Sequence, residues 1–104
     1  MHEPAKVKIL MTWDISPDHE QEYFEFVIGE FVPGVQRLGL QPVEAWATIY
    51  GNYPQIQVGL LAPDAASARR IMNSPDWSNI SERLFQFIKN FGYKVVPVRG
   101  GFQF

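Results

Sequence analysis

Residues 43–61 read VEAWATIYGNYPQIQVGLL, two runs of alternating character on either side of Gly51-Asn52. In the first, Val43, Ala45, Ala47 and Ile49 interleave with Glu44, Trp46, Thr48 and Tyr50; in the second, Ile56, Val58 and Leu60 interleave with Gln55, Gln57 and Gly59. Alternation with period two marks a strand with one buried face. If Gly51-Asn52 is a two-residue turn, Tyr50 faces Tyr53 and every later pair is fixed. Ala47 then meets Ile56, Ala45 meets Val58 and Val43 meets Leu60 on the apolar face. Thr48 meets Gln55, Trp46 meets Gln57 and Glu44 meets Gly59 on the other. A slip of one residue would turn the whole apolar set outward, so the register is strongly specified. Pro54 beside the turn is the awkward residue, and a longer loop is the alternative it leaves open.

Before this hairpin, Val7, Ile9, Met11 and Trp13 alternate with Lys8, Leu10 and Thr12, which predicts a first strand over 7–13. A helix start follows in SPDHEQEYFEF: Ser16 as cap, Pro17 at the first helical position, then Asp18, Glu20 and Glu22 at the positive end of the dipole. Phe24, Val27, Ile28, Phe31, Val35 and Leu38 recur at helical spacing as one apolar stripe. Pro33-Gly34 should kink that helix, and Gly39 should stop it. After the hairpin comes a short helix through Arg69, Arg70, Ile71 and Met72. A second start signal follows, with Ser74 as cap, Pro75 at the first position and Asp76 complementing the dipole. Trp77, Ile80, Leu84, Phe87, Ile88 and Phe91 form its buried stripe and Gly92 its stop, leaving 93–99 as the last strand. Pro97 belongs at a sheet edge, where a missing donor does no harm.

The order is βαββαβ. Two right-handed crossovers joined by a hairpin give an α+β, ferredoxin-like sandwich: a four-stranded antiparallel sheet, order 4-1-3-2, with the helices on one face. At 104 residues the chain is read as one domain over 1–104, with 1–5 frayed and 100–104 as a C-terminal tail whose Phe102 and Phe104 are free to reach a neighbouring subunit. The other sheet face then carries Lys8, Leu10, Thr12, Glu44, Trp46, Thr48, Tyr50, Gln55, Gln57, Gly59 and Leu61. Val95, Pro97 and Arg99 join it if the last strand keeps the same phase. This face is too apolar for solvent and too polar for a dry core. Two copies packed face to face would cover its apolar part and enclose a half-polar cavity, so a homodimer is expected.

Bulk composition removes several function classes. A formal charge of −2 with no basic run offers no footprint for a phosphate backbone, so nucleic acid is not an expected partner. Nothing approaches the roughly 20 apolar residues of a membrane span, and the N-terminus has no signal-peptide core. With no cysteine there is no disulfide framework, and a soluble cytoplasmic protein is expected. The two histidines, His2 and His19, fall at a frayed end and on a first helical turn, so no metal site is expected. Nor is there a phosphate loop, nucleophile elbow or Cys-His pair.

Length, element order, the kinked first helix and above all the run AASARRIMNSPDW at 65–77 resemble the dimeric α/β-barrel superfamily, in particular its small NIPSNAP-like, EthD-like and antibiotic-biosynthesis monooxygenase-like members. The resemblance covers nearly the whole chain, but its motif is a fold signature: Ala68, Ser74, Pro75 and Trp77 are accounted for by packing and capping. It implies a barrel closed by dimerisation and a cavity for small, often aromatic or polyketide-like molecules or haem. Haem is disfavoured, since no histidine falls on the cavity face. The superfamily shares no single chemistry, so fold alone does not assign a reaction.

Two functional readings stand side by side. In one, the protein is a cofactor-independent monooxygenase- or isomerase-like enzyme. Glu44 beside Trp46 is its general base, raised toward neutral pKa by desolvation, and Tyr50 is a second proton-handling group. Leu10, Thr12, Trp46, Thr48, Gln57, Gly59 and Arg99 line the site, with Gly59 leaving room for the ligand. In the other, the dimer binds a ligand, or only its own side chains, and does no chemistry; Glu44 then pairs with Lys8 or Arg99 across the dimer, and Trp46 and Tyr50 pack an interface. A third, an open sheet binding single-stranded RNA, lacks the stacking aromatics and basic residues that QIQVGLL at 55–61 would need.

Overall fold

A computed structural model describes residues 5–48 and 55–98. The chain runs β1 (Val7–Ile15), α1 (Glu20–Phe26), a π-helical turn (Val27–Phe31), α2 (Val32–Arg37), β2 (Gln41–Ala47), β3 (Ile56–Ala62), α3 (Ala65–Met72), α4 (Pro75–Leu84) and β4 (Ile88–Pro97). The four strands form one antiparallel sheet in the order β2-β3-β1-β4, the expected 4-1-3-2, with Pro97 on an edge strand. No helix among the described residues is long and apolar enough to cross a membrane.

The inner sheet face is dictated by the alternation of β1. Val7, Ile9, Met11 and Trp13 are buried with Leu60 and Ala62, and the helices close over them with Tyr23, Phe26, Phe31, Val35, Ala68, Ile71, Trp77 and Leu84. Trp13 lies edge-on to Phe31 at 5.9 Å and stacked on Phe91 at 6.1 Å, so one indole joins the first helix to the last strand. In the hairpin, Ala47 pairs with Ile56, Trp46 with Gln57, Ala45 with Val58 and Glu44 with Gly59, as expected. The Val43–Leu60 pair is not made. A bulge between Pro42 and Glu44 sets Pro42 opposite Leu60 and leaves Val43 exposed. The connecting turn, with Tyr50, Gly51, Asn52 and Pro54, lies outside the described residues, as do His2, Arg99, Phe102 and Phe104.

The first helix departs from its expected start and phase. Pro17 and Asp18 form a turn, with Asp18 at φ 71, and α1 begins at Glu20 after His19, so Ser16 is not its cap. Pro33-Gly34 does not break the helix. The ladder widens just before it, with the Val32 N–H reaching the Val27 carbonyl, and Pro33 falls in the first turn of α2 where no donor is required. The extra residue rotates everything upstream: the buried series is Tyr23, Phe26, Phe31, Val35, while Phe24 and Ile28 are 50% and 73% exposed. The helix ends as expected at Gly39, φ +100, with the Leu40 N–H on the Val35 carbonyl and the Gly39 N–H on that of Gln36.

The second start signal is confirmed: Ser74 Oγ accepts the Trp77 N–H at 3.1 Å, with Pro75 opening α4. Its end is not at Gly92. The helix stops at Leu84, and Ile88 already pairs with Ile15 at the extended end of β1. Between Lys89 and Gly92 the strand carries one extra residue opposite β1, and Asn90 takes φ 59 to accommodate it. That bulge inverts the expected phase of β4. Val95 pairs with Ile9 and Pro97 with Val7 on the inner side, so the outer face carries Gly92, Lys94 and Val96 instead. Asp14 holds the bulge: one carboxylate oxygen accepts from Asn90 Nδ2 at 2.8 Å and the other from the Gln55 N–H at 2.9 Å. Its role is therefore to tie β1 to both neighbours. Those bonds, the Asn90 amide foremost, hold its pKa below the ordinary value.

Candidate functional site

The outer sheet face brings together most of the residues expected there. Leu10 and Thr12 on β1 are half-buried; Trp46 on β2, Thr48 just past its end and Gln57 on β3 are exposed, with Trp46 at 63%. Tyr50 and Arg99 lie outside the described residues. Gly59 sits between Glu44 on one side and Leu10 on the other. The space that its missing side chain leaves is occupied by Glu44 itself: a Cβ on Gly59 would come within 2.6 Å of Glu44 Oε1. Glu44 crosses β3 there and accepts from Lys8 Nζ at 2.6 Å, while the Trp46 indole N–H donates to its other oxygen at 3.3 Å.

This geometry reverses the pKa expectation. The Lys8 ammonium first, and the Trp46 indole second, favour the carboxylate and hold Glu44 below its ordinary value, outweighing desolvation. Because the folded pKa is depressed, the pair stabilises the fold above the ordinary carboxylate pKa, and this contribution disappears as pH falls through the lower folded value. Gly59→Ala is expected to push the flexible Glu44 side chain aside, break the Lys8 contact and return the Glu44 pKa upward to the ordinary carboxylate value while the chain stays folded. A carboxyl-detected NMR titration of Glu44 checks this; an unchanged midpoint in the variant would show that Gly59 is not what admits the pair.

A second site lies on the opposite side of the sheet, and the alternation pattern did not reveal it. An apolar pocket of about 380 Å³ opens between the first helix and the β2 edge. Its helical wall is Phe24, Val27, Ile28, Phe31 and Val32, and its sheet wall includes Ala45, Ala47, Ile56 and Val58. Two features of the chain create it. The π turn carries apolar side chains beyond the packed stripe, and the middle of β2 presents Ala45 and Ala47 inward, too short to fill the space beneath them. Excess apolar width on the first helix, opposite Ala45 and Ala47, was the available signal. Trp13 and Tyr23 also line the pocket, the indole N–H donating to the phenol oxygen at 2.9 Å. Burial raises the Tyr23 pKa, so the phenol stays protonated at neutral pH. The volume lies within the roughly 300–1,000 Å³ of small-molecule sites.

A polar depression of about 450 Å³ between α2 and α4 is lined by Glu30, Arg37, Asp76, Asn79 and Arg83, but Glu30 and Arg83 already pair with each other. Among the described residues no group of three or more His, Asp or Glu converges as a metal site would require.

Comparison with known proteins places this geometry in a fold. No family model and no curated protein sequence matches the chain. Solved structures do. A NIPSNAP family protein from Agrobacterium tumefaciens C58 superposes with a TM-score of 0.69 at 14% identity, covering 96% of this chain and 91% of its own. The hydroxynitrile lyase of Passiflora edulis gives 0.75 at 9% identity, covering 96% and 99%. A dimeric protein of unknown function and ferredoxin-like fold from Bacteroides fragilis NCTC 9343 gives 0.63 at 12%, covering 93% and 100%. EthD and antibiotic biosynthesis monooxygenase proteins are similar to the chain at the same level. The resemblance carried by residues 65–77 is thus matched by structural neighbours in the same groups, and at these identities the likeness is one of fold.

Proposed function

We propose that the protein is a cytoplasmic homodimer, closed through the outer sheet faces of two copies into an α/β barrel, in which each chain binds a small, flat, mostly apolar molecule between its first helix and its sheet edge. The observation that carries this reading is the pocket of about 380 Å³, walled by apolar side chains yet holding the Trp13–Tyr23 pair. Apolar walls with very few polar groups are what a small-molecule site needs. Pairing is supported by Leu10, Leu61, Val96 and the exposed Trp46 on a face that no helix among the described residues covers, and by the dimeric Bacteroides relative. In the dimer, Lys8, Thr12, Glu44, Thr48, Gln57 and Gly59 become the polar lining of the barrel interior.

Turnover of an aromatic or polyketide-like molecule, with Glu44 and Tyr50 handling the proton, is the second reading. It is favoured by the position of the Glu44 carboxylate, which reaches over the centre of the face that pairing would enclose. A lowered pKa makes Glu44 a weak proton acceptor, so binding is the better-supported function. Light scattering behind a sizing column, with titration of tryptophan fluorescence by a naphthalene probe, tests both halves of the proposal. A mass of two chains that persists on dilution and saturable quenching are expected. A monomer at every concentration would sink the barrel, and unsaturable quenching would sink the ligand site.

A further inference from the structure

The Trp13–Tyr23 contact leaves one hydrogen unspent. Trp13 has a single N–H, and it is used on the Tyr23 oxygen. The phenol thereby accepts one bond, but its own hydrogen meets no acceptor among the described residues, although Tyr23 is only 2% exposed. Buried hydroxyls ordinarily spend their hydrogen. Tyr23 lines an apolar pocket together with Phe31, Val35, Val58 and Leu60, none of which offers a side-chain acceptor. Donation from the indole into the phenol oxygen also polarises the O–H and makes it a better donor.

We infer that the Tyr23 hydroxyl donates a hydrogen bond to the bound molecule, so that the ligand class is a flat, neutral, apolar molecule bearing a carbonyl, such as an aryl ketone or a quinone. The inference rests on the pocket being the binding site. Neutrality follows from the walls: among the described residues no lysine or arginine lines the pocket, and the carboxylate of Glu44 is turned to the outer face and paired with Lys8. A carbonyl follows from the phenol, which offers a hydrogen while its conjugated oxygen already accepts one bond. Trp13 acts as a positioning residue, holding the Tyr23 oxygen and leaving its hydrogen to face the ligand.

The test compares 2-acetylnaphthalene with 2-isopropenylnaphthalene, in which a C=CH2 group replaces the C=O at nearly the same shape. Wild-type protein is expected to bind the ketone about tenfold more tightly, the size of one net hydrogen bond in a dry site. Tyr23→Phe should abolish that preference and leave the affinity for the alkene unchanged. Since the variant also strands the Trp13 N–H and loses stability, a second measurement is made on the wild-type complex: the infrared C=O stretch of the bound ketone should fall below its value in cyclohexane. Equal affinities with an unshifted stretch would overturn the donor role while leaving the pocket as a binding site. Failure of both probes to bind would overturn the pocket and this inference with it.

Discussion

Leu10→Glu is expected to yield a folded monomer. Leu10 lies on the outer face of β1, one of the two central strands, directly between Lys94 on β4 and Gly59 on β3. In a single chain the new carboxylate stands in water beside a lysine, an arrangement that costs the fold little and adds a cross-strand pair of opposite charge. In a barrel the same carboxylate is taken out of solvent at the centre of the interface, and two-fold symmetry brings in two of them. Taking a carboxylate out of water costs several kcal/mol per ion even where a lysine stands beside it, so the dimer dissociation constant should rise by more than about 100-fold. Sedimentation equilibrium of the variant and the wild type, with circular dichroism to establish folding, decides the matter. A variant that remains dimeric would mean that the copies meet elsewhere, and the polar residues around Glu44 would then be an ordinary solvated face.

The outer face was legible because alternation over 43–48 and 55–61 needs only local rules, and the register followed from the sorting of apolar and polar side chains. Helix phase was not, and the reason lies in two single-residue insertions. At the π turn the chain gains a residue before Pro33, so Tyr23 and Phe26, rather than Phe24 and Ile28, join Phe31 and Val35 in the core. A periodicity of 3.6 applied across the whole helix puts the right residues inside only downstream of that point. In β4 the bulge at Asn90 has the same consequence with period two, turning Val95 and Pro97 to the helix side of the sheet and Lys94 and Val96 to the outer face. The bulge is held by a tertiary partner that adjacent residues do not announce, Asp14 on β1, which accepts from Asn90. The π turn is local, with the Val32 N–H reaching back five residues to the Val27 carbonyl just before Pro33.

The helix-side pocket is a consequence of the first insertion, which is why alternation in the strands pointed to the outer face and missed it. Phe24, Val27 and Ile28 are apolar in sequence, and a regular helix would have packed them into the core. With the phase shifted they stand at the margin of the sheet, over Ala45 and Ala47. The candidate site therefore joins a legible half, the small inward residues of β2, to a half that depends on a backbone irregularity. The Glu44 reading shows a similar limit. Sequence placed the acid beside an indole and opposite a glycine, but the sign of its pKa shift was decided by Lys8, two strands away.

Ala45→Leu is expected to stabilise the chain and to abolish binding of the naphthalene probes. Ala45 pairs with Val58 on the inner face, and its methyl group borders empty apolar space rather than packed neighbours. The added methylenes would enter the pocket and come out of water against the first helix, at about 0.8 kcal/mol per buried CH2. Overpacking is not expected, because the space is already open, in contrast to the insertion of extra carbon into a filled core. Partial fit limits the gain to about 1–2 kcal/mol, enough to raise the melting temperature by several degrees for a domain of this size. The same atoms occupy the volume a flat ligand requires, so affinity for either probe should fall more than about tenfold, which corresponds to 1.4 kcal/mol or more. Thermal denaturation and probe titration of the one variant thus give opposite signs. A stabilised variant that binds as well as wild type would place the ligand elsewhere and return the search to the barrel interior. A variant that loses both stability and binding would mean that the pocket collapses in solution and that Ala45 is small because the helix packs directly upon it.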